Sequence, residues 1–153
     1  MASIERTAYP RFKRNPTSKE LHEVYTPISE EMQFAHSVAR GSAPVMSLLV
    51  MMKSFQRLGY FPRPKDIPPI IVSHIRSSLH LSNDEAPNFL SKSLYRHQSA
   101  IREYLKVTPY GKHALRTASS AIYRAAQVMD NPADLINVGI AEMIKERCEL
   151  QSL

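Results

Sequence analysis

Apolar and polar positions alternate with a helical period in the stretch LYRHQSAIREYLK, residues 94–106. Wound at about 100° per residue, it places Leu94, Ile101 and Leu105 on one stripe that faces a core. Tyr95, Ser99, Arg102 and Lys106 follow one another at i, i+4, i+7 and i+11 on the opposite, solvent-facing side. Two interpretations fit that outer row: a surface that contacts phosphates, or the solvated face of an ordinary amphipathic helix.

The rest of the chain predicts further helices separated by proline and glycine. Helix signals begin at Thr17 or Ser18, at Thr26 with Pro27 in the first helical position, at Ser42, at Asp66 with Pro68 and Pro69 in the first turn, at Ser82 to Asp84, at residue 93, at Lys112, and at Asp130 or Asn131 before Pro132. The helix over 43–58 is apolar nearly all round, which predicts a central buried helix. No sustained period-two alternation predicts a strand. We therefore expect an all-α, single compact domain of about seven or eight helices over residues 17–150.

Residues 1–16 are predicted to form a flexible basic arm in front of that domain. Pro10 and Pro16 interrupt any helix, and Arg11, Lys13 and Arg14 surround Phe12. Such an arm can follow a phosphate backbone, and an untethered terminus explains the same composition.

Basic residues are concentrated in blocks along the chain. Lys and Arg number 20 against 14 Asp and Glu, the net charge is +6, and the isoelectric point is about 9.6. The segment 92–124 holds seven basic residues and one acidic residue. This balance favours an acidic partner such as nucleic acid or anionic lipid.

The residues required by common catalytic and cofactor sites are missing from the sequence. The six histidines form no pair at i, i+3 or i+4, the four glycines form no nucleotide-binding loop, and Cys148 is the single cysteine. We therefore expect no enzymatic activity, no cofactor and no metal site. A lone cysteine cannot form an internal disulfide, which favours a reducing compartment. The chain has no apolar signal segment, and its longest apolar run, 48–52, is too short to span a bilayer. We therefore expect a soluble protein of the cytoplasm with no membrane partner.

The same helix carries a resemblance to a known family. Its residues Tyr95, Arg96, His97, Ile101, Arg102 and Leu105 match a pattern of that family, and so do Arg40-Gly41, the segment FQRLGYFPRPKDIPPIIVSHI at 55–75 and the closing ERCEL. With these features the chain resembles the N-terminal region of the Tn-three family of replicative bacterial transposases. The similarity extends from about Tyr9 onward. It implies that the chain is part of a longer bacterial transposase. It also implies a helical DNA-binding domain that recognises the terminal inverted repeats of the transposon during DNA transposition, with the magnesium-dependent DDE carboxylates far downstream.

These observations select a set of candidate DNA-contacting residues. The predicted partners are double-stranded DNA at the transposon end and the remainder of the transposase. The predicted contacts are Lys92, Tyr95, Arg96, Ser99, Arg102, Lys106, Lys112 and Arg116, with Arg124 extending the patch, Arg96 directed at a guanine edge, and Arg11, Lys13 and Arg14 as arm contacts. His97 lies at the edge of the apolar stripe, which favours a buried, hydrogen-bonded structural histidine over a DNA contact. The alternative function is a helical protein-interaction module that assembles the transposition complex without sequence-specific DNA contact.

Overall fold

The longest helix, α3 (Ser42–Leu58), forms the centre of the fold, as the sequence predicts. The computed structural model describes residues 9–152, and within them α3 is buried on all sides through most of its length. Gly41 precedes it and Gly59, at φ 82°, ends it in the left-handed conformation that glycine adopts at low cost.

Six further α-helices surround or follow α3 in the described part of the chain. They are α1 (Ser18–Tyr25), α2 (Ser29–Val38), α4 (Pro69–Ser78), α5 (Ser91–Leu105), α6 (Lys112–Ala125) and α7 (Pro132–Lys145), with one 3-10 turn at Pro64–Asp66. Residues 9–152 contain no β-strand, only an isolated parallel bridge between Thr108 and Cys148. The prediction of an all-α, single compact domain is confirmed.

The helices build two apolar clusters. In the first, α1, α2, α4 and α5 pack against α3, and the buried side chains include Leu49, Met52 and Ile101. The second lies where the paired helices α6 and α7 meet the end of α3, and it contains Leu58, Tyr60, Ala114, Ile140, Met143, Cys148 and Leu150. The helices α6 and α7 pack against each other more extensively than either packs against any other described helix.

A buried ion pair joins α2 to α3. The Nζ atom of Lys53 lies 2.7 Å from Oε1 of Glu31, and both side chains are less than a tenth exposed. Glu31 also accepts hydrogen bonds from the Ile28 N–H and from Nε2 of Gln56. Burial alone raises the pKa of Glu31, but its hydrogen bonds and the Lys53 charge outweigh burial and hold that pKa below its usual value.

Several helix boundaries differ from those that the sequence predicts. The second helix begins at Ser29 and not at Pro27, because the Glu31 carboxylate accepts the Ile28 N–H and sets the first turn there. Asp66 closes the 3-10 turn, and α4 starts three residues later, at Pro69. The sequence from Lys112 predicts a helix that reaches Met129, but α6 ends at Ala125. The closing segment ERCEL is not helical, since α7 ends at Lys145 and Cys148 joins the bridge.

The prediction of a short helix that begins at Ser82 to Asp84 is wrong. Residues 85–90 form no helix, because Pro87 supplies no donor and the segment bonds to α3 instead. The Asn88 N–H donates to Ser47 Oγ at 2.6 Å, and the Ser47 hydroxyl donates to the Asn88 carbonyl at 2.9 Å. The described chain therefore holds seven α-helices, at the lower end of the expected range.

Candidate nucleic-acid interface

The outer side of α6 presents a continuous polar row. Lys112, Arg116, Ser119 and Tyr123 occur at i, i+4, i+7 and i+11, and all four side chains are exposed, Tyr123 by 74%. The opposite side of the helix buries Ala114 and Ala121 against the second cluster and α7. The small apolar side thus fixes the orientation of α6 and turns its cations to solvent.

No negative charge accompanies those cations on their own helix. The sequence of α6, KHALRTASSAIYRA, contains no acidic residue. Lys112, Arg116 and Arg124 make no ion pair among residues 9–152. Their charges are therefore available to an external anion, screened only by solvent and salt. Ser119 and Tyr123 add hydroxyl groups and one aromatic ring to the same face, and neither residue is among the contacts predicted from the sequence.

The outer side of α5 presents a second basic face. Lys92, Arg96, Ser99 and Lys106 are exposed, and Tyr95 is 73% exposed. This face also carries one exposed acidic residue, Glu103. The described residues include no ion-pair partner for Lys92, Arg96 or Lys106. Two consecutive helices, α5 and α6, therefore each expose a basic face, and residues 106–111 connect them.

Arg102 is not the free, solvent-facing cation that the helical spacing predicts. Its Nε atom donates to Oε2 of Glu149 at 2.7 Å and its Nη2 atom donates to Oε1 at 3.1 Å. The guanidinium also lies 5.0 Å from the ring centroid of Phe61. Because Glu149 is 8% exposed and follows α7, the pair fastens α5 to the segment after the last helix. The expectation of an exposed Arg102 is wrong.

The C-terminal end of α5 is capped by a residue that lies far from it in the sequence. Lys106 adopts the left-handed conformation, at φ 56°. Arg147 donates to the carbonyls of Leu105 and Lys106, which the end of the helix leaves without helical partners. The parallel bridge between Thr108 and Cys148 begins at the same place. No local signal predicts this arrangement, because the two segments are about 40 residues apart in sequence.

His97 is buried, as predicted, with 1% of its surface exposed. Its Nε2 atom has no hydrogen-bond partner in the described residues, so the expected hydrogen bond is not found at that atom. Burial, and to a smaller extent the nearby charge of Arg96, lowers the pKa of His97. The imidazole is inaccessible to a ligand at the surface.

The described part of the N-terminal arm lies against the body of the protein. Residues 1–8 of the predicted arm lie outside the described residues, and residues 9–16 contain no helix. The ring of Tyr9 lies 5.6 Å from that of Tyr60, and Phe12 packs against both apolar clusters. Arg11 and Arg14 are exposed, whereas Lys13 pairs with Glu20 at 2.9 Å.

One family profile covers nearly the whole chain. It is described as "Domain of unknown function (DUF4158)" and matches residues 1–152. The chain belongs to the DUF4158 family. No curated protein and no solved structure matches this DUF4158 chain significantly.

The part of the DUF4158 chain that the structure describes holds neither a metal-binding cluster nor a helix that could span a membrane. Over residues 9–152, no group of three or more His, Cys, Asp or Glu side chains is placed to hold a metal ion. In the same range, every helix is too short or too polar to cross a membrane. The exposed basic faces of α5 and α6 in this DUF4158 chain are complementary in charge to a polyanion.

Proposed function

We propose that this chain is the DNA-binding part of a bacterial transposase and that the outer faces of α6 and α5 contact DNA at the transposon end. The observation that carries the proposal is α6 itself. Its outer row combines exposed cations, which have no ion-pair partner within residues 9–152, with hydroxyl and aromatic side chains, and it includes no carboxylate. This is the set of groups that proteins use along a phosphate backbone.

Each side chain has a role in this proposal. Lys112, Arg116 and Arg124 on α6, with Lys92 and Lys106 on α5, contact phosphates. Arg96 reads a guanine edge, because a guanidinium donates to O6 and N7 together. Ser99 and Tyr95 donate hydrogen bonds from the same face of α5.

Arg102 has a supporting role and does not contact DNA. Both of its hydrogen bonds to Glu149 would have to break before it reached a phosphate, and Glu149 would be left buried without its cation. Arg102 therefore holds α5 in position while neighbouring residues make the contacts.

The resemblance to the Tn-three family supports the finer identity. In that proposal the DNA is the terminal inverted repeat, the catalytic carboxylates belong to the remainder of the transposase, and the protein acts in the bacterial cytoplasm. This chain then supplies recognition and no catalysis.

A binding experiment tests the proposal. The protein is titrated into a labelled duplex that carries the terminal repeat of the element encoding it, and into a duplex of scrambled sequence, at two or more salt concentrations. We expect at least tenfold tighter binding to the repeat. We also expect a slope of log affinity against log salt between about −3 and −5, since each neutralised phosphate contributes about −0.9. Equal affinity for both duplexes would rule out sequence recognition, and no binding to either would rule out the DNA interface.

A second candidate function is a protein-interaction module that assembles the transposition complex. Exposed apolar side chains at the end of α6 and in the connection to α7 favour it, since Tyr123 is 74% exposed, Val128 85% and Met129 37%. For a module of this kind, binding to the rest of the transposase weakens after Val128→Ser and persists after loss of the α6 cations. The DNA-binding proposal expects the reverse dependence for the duplex.

A further inference from the structure

The arm and the end of α3 together enclose a basic pocket on the surface. It has a volume of about 420 Å³ and is lined by Arg11, Phe12, Lys13, Arg14 and Arg57. Four of these five side chains are cations. Arg57 belongs to the last turn of α3, so the pocket joins two parts of the chain that are more than 40 residues apart.

Arg57 lacks the partner that a half-buried guanidinium usually has. It is partly buried, yet residues 9–152 supply no carboxylate within ion-pair distance. It lies beside Tyr25, whose pKa is raised by burial and lowered in part by the Arg57 charge. The phenol thus orients the guanidinium without neutralising it.

A single carboxylate offsets the four cations of this pocket. Lys13 pairs with Glu20 at 2.9 Å, and Glu20 itself lines the neighbouring pocket beside Arg57. Arg11, Arg14 and Arg57 have no anionic partner in the described chain. Three guanidinium groups around one pocket repel each other, and a bound anion converts that repulsion into attraction.

The position of the arm is fixed by contacts of its aromatic residues, in addition to the ion pair between Lys13 and Glu20. Tyr9 lies against Tyr60, the Tyr60 hydroxyl donates to the Pro10 carbonyl at 3.4 Å, and Phe12 packs against both apolar clusters. The fold of the arm therefore brings these cations to one pocket before any ligand arrives, which lowers the entropic cost of binding.

We propose that this pocket binds a phosphate group. A guanidinium offers parallel N–H donors that match two oxygens of a phosphate, and three guanidinium groups line this one pocket. A free phosphate and a phosphate of a nucleic-acid backbone present the same chemistry to the pocket. The site is separate from the faces of α5 and α6, and it does not depend on the function proposed for them.

The first test uses inorganic phosphate as the probe. Thermal unfolding of the complete chain is followed by circular dichroism during a phosphate titration, with chloride replaced to keep the ionic strength constant. We expect the midpoint temperature to rise with phosphate and to level off, because a ligand that binds only the folded state stabilises it. In Arg57→Gln, and separately in Arg14→Gln, the phosphate affinity should fall about tenfold or more.

The matched control is Arg40→Gln, which removes an exposed arginine outside the pocket and should keep the wild-type response. Arg14 is exposed, so its replacement leaves the fold intact even if Arg57→Gln lowers stability in chloride. A wild-type midpoint that does not respond to phosphate, or an equal response in wild type and both pocket variants, would overturn the proposal.

A second measurement identifies the source of the phosphate. If the pocket holds a backbone phosphate, Arg57→Gln should flatten the salt slope of duplex binding by about 1. If the slope does not change while inorganic phosphate still stabilises the wild type, the ligand is a free phosphate or a small phosphorylated molecule. If the protein binds neither duplex, the function proposed for α5 and α6 is refuted. The phosphate binding of this pocket is tested separately, by the thermal unfolding experiment.

Discussion

Arg102 and Glu149 form a two-point ion pair between α5 and the segment that follows α7. The two hydrogen bonds measure 2.7 and 3.1 Å, and the Tyr110 N–H lies 3.4 Å from the same carboxylate. The side chain of Glu149 is 10% exposed and that of Arg102 is 25% exposed. The pair therefore links α5 to the segment that carries Cys148 and Leu150 of the second cluster. Its loss leaves a carboxylate that water cannot fully solvate.

Replacing Arg102 by glutamine should lower the free energy of unfolding by about 2–3 kcal/mol, somewhat less than for a fully buried pair because Arg102 keeps partial contact with water. Urea unfolding measures this change. The matched control is Arg96→Gln on the exposed side of the same helix, which should change stability by less than about 0.5 kcal/mol. Equal stability of the two variants would show that the pair contributes nothing. An Arg102 variant should be tested for DNA binding only at temperatures where it remains folded, because an unfolded variant would lose binding whether or not Arg102 contacts DNA.

Glu31 should make stability depend on acid pH. Its pKa in the folded state lies below the usual value of 4.5, so the folded protein holds the proton less readily than the unfolded chain. Its contribution is fully present above about pH 4.5 and is lost as the pH falls through the folded-state pKa. Glu31→Gln should thus be less stable than wild type by about 3 kcal/mol at pH 7, with a gap that narrows in acid. Urea unfolding at pH 7 and pH 3.5 measures it.

The comparison variant for Glu31 is Glu103→Gln, which alters an exposed carboxylate of α5 that makes no ion pair within residues 9–152. It should remain close to wild type at neutral pH. A gap between Glu31→Gln and wild type that stays constant from pH 7 to pH 3.5 would contradict the linkage.

His97 should give a second pH dependence, nearer neutrality. Because burial lowers its pKa in the folded state, the unfolded chain takes up a proton below about pH 6.5 that the folded protein does not. Stability is then complete above that pH and declines below it, by at most about 1.4 kcal/mol per pH unit. His74, whose pKa is lowered by burial and then by His22, adds to the decline.

Replacing His97 by leucine should make that decline shallower without removing it. Thermal unfolding between pH 7.5 and pH 5 gives the slope for both proteins. An unchanged slope would mean that the buried imidazole takes up a proton inside the folded protein as easily as it does in the unfolded chain.

Gly59 should be sensitive to the smallest substitution. It has φ 82°, and a Cβ atom there would lie 3.1 Å from Cδ1 of Leu150. Gly59→Ala should lower the free energy of unfolding by about 1–2 kcal/mol from the backbone conformation alone. Gly111→Ala is the matched control, because Gly111 is extended and nothing lies within 4 Å of its added Cβ. Equal unfolding midpoints for the two variants would refute the argument.

The face of α6 can be tested by reversing two charges. Lys112→Glu combined with Arg116→Glu should flatten the salt slope of duplex binding by about 2, because each lost phosphate contact removes about 1. The control pair, Arg40→Glu with Lys65→Glu, changes the net charge equally at exposed positions on other elements. Fluorescence anisotropy at several salt concentrations gives both slopes. A control pair that flattens the slope as much as the α6 pair would mean that net charge, and not this face, governs affinity.

Most of the fold follows from local sequence signals. The Thr17 side chain caps α1 and the Asn131 side chain caps α7, as their positions before the apolar pattern predict. The apolar circumference of α3 predicts its burial without knowledge of its neighbours. The errors occur where a distant residue decides the local conformation. Ser47 bonds the segment around Asn88 and prevents the helix predicted there.

The candidate interface was only partly predictable for the same reason. Helical spacing correctly places Tyr95, Ser99 and Lys112 at the surface, since that depends on period and polarity alone. It cannot reveal that Glu149, 47 residues further on, holds Arg102. Nor can it reveal that Arg57 meets the arm, because that contact requires the chain to fold back on itself. Tyr123 is not among the predicted DNA contacts, but its spacing predicts that it lies on the same face, since it stands at i+11 in the row that starts at Lys112.

The attachment of α6 and α7 to the remaining helices implies that the protein has two cooperative units. The pair is anchored through the small cluster around Leu58, Tyr60 and Leu150, whereas α3 is enclosed by four other helices. Amide hydrogens of α6 should consequently exchange with deuterium sooner than those of α3, as one block with α7. A ligand that binds α6 would slow this local opening, so deuterium uptake would show which helix is bound, whereas a shift in the overall unfolding midpoint would not.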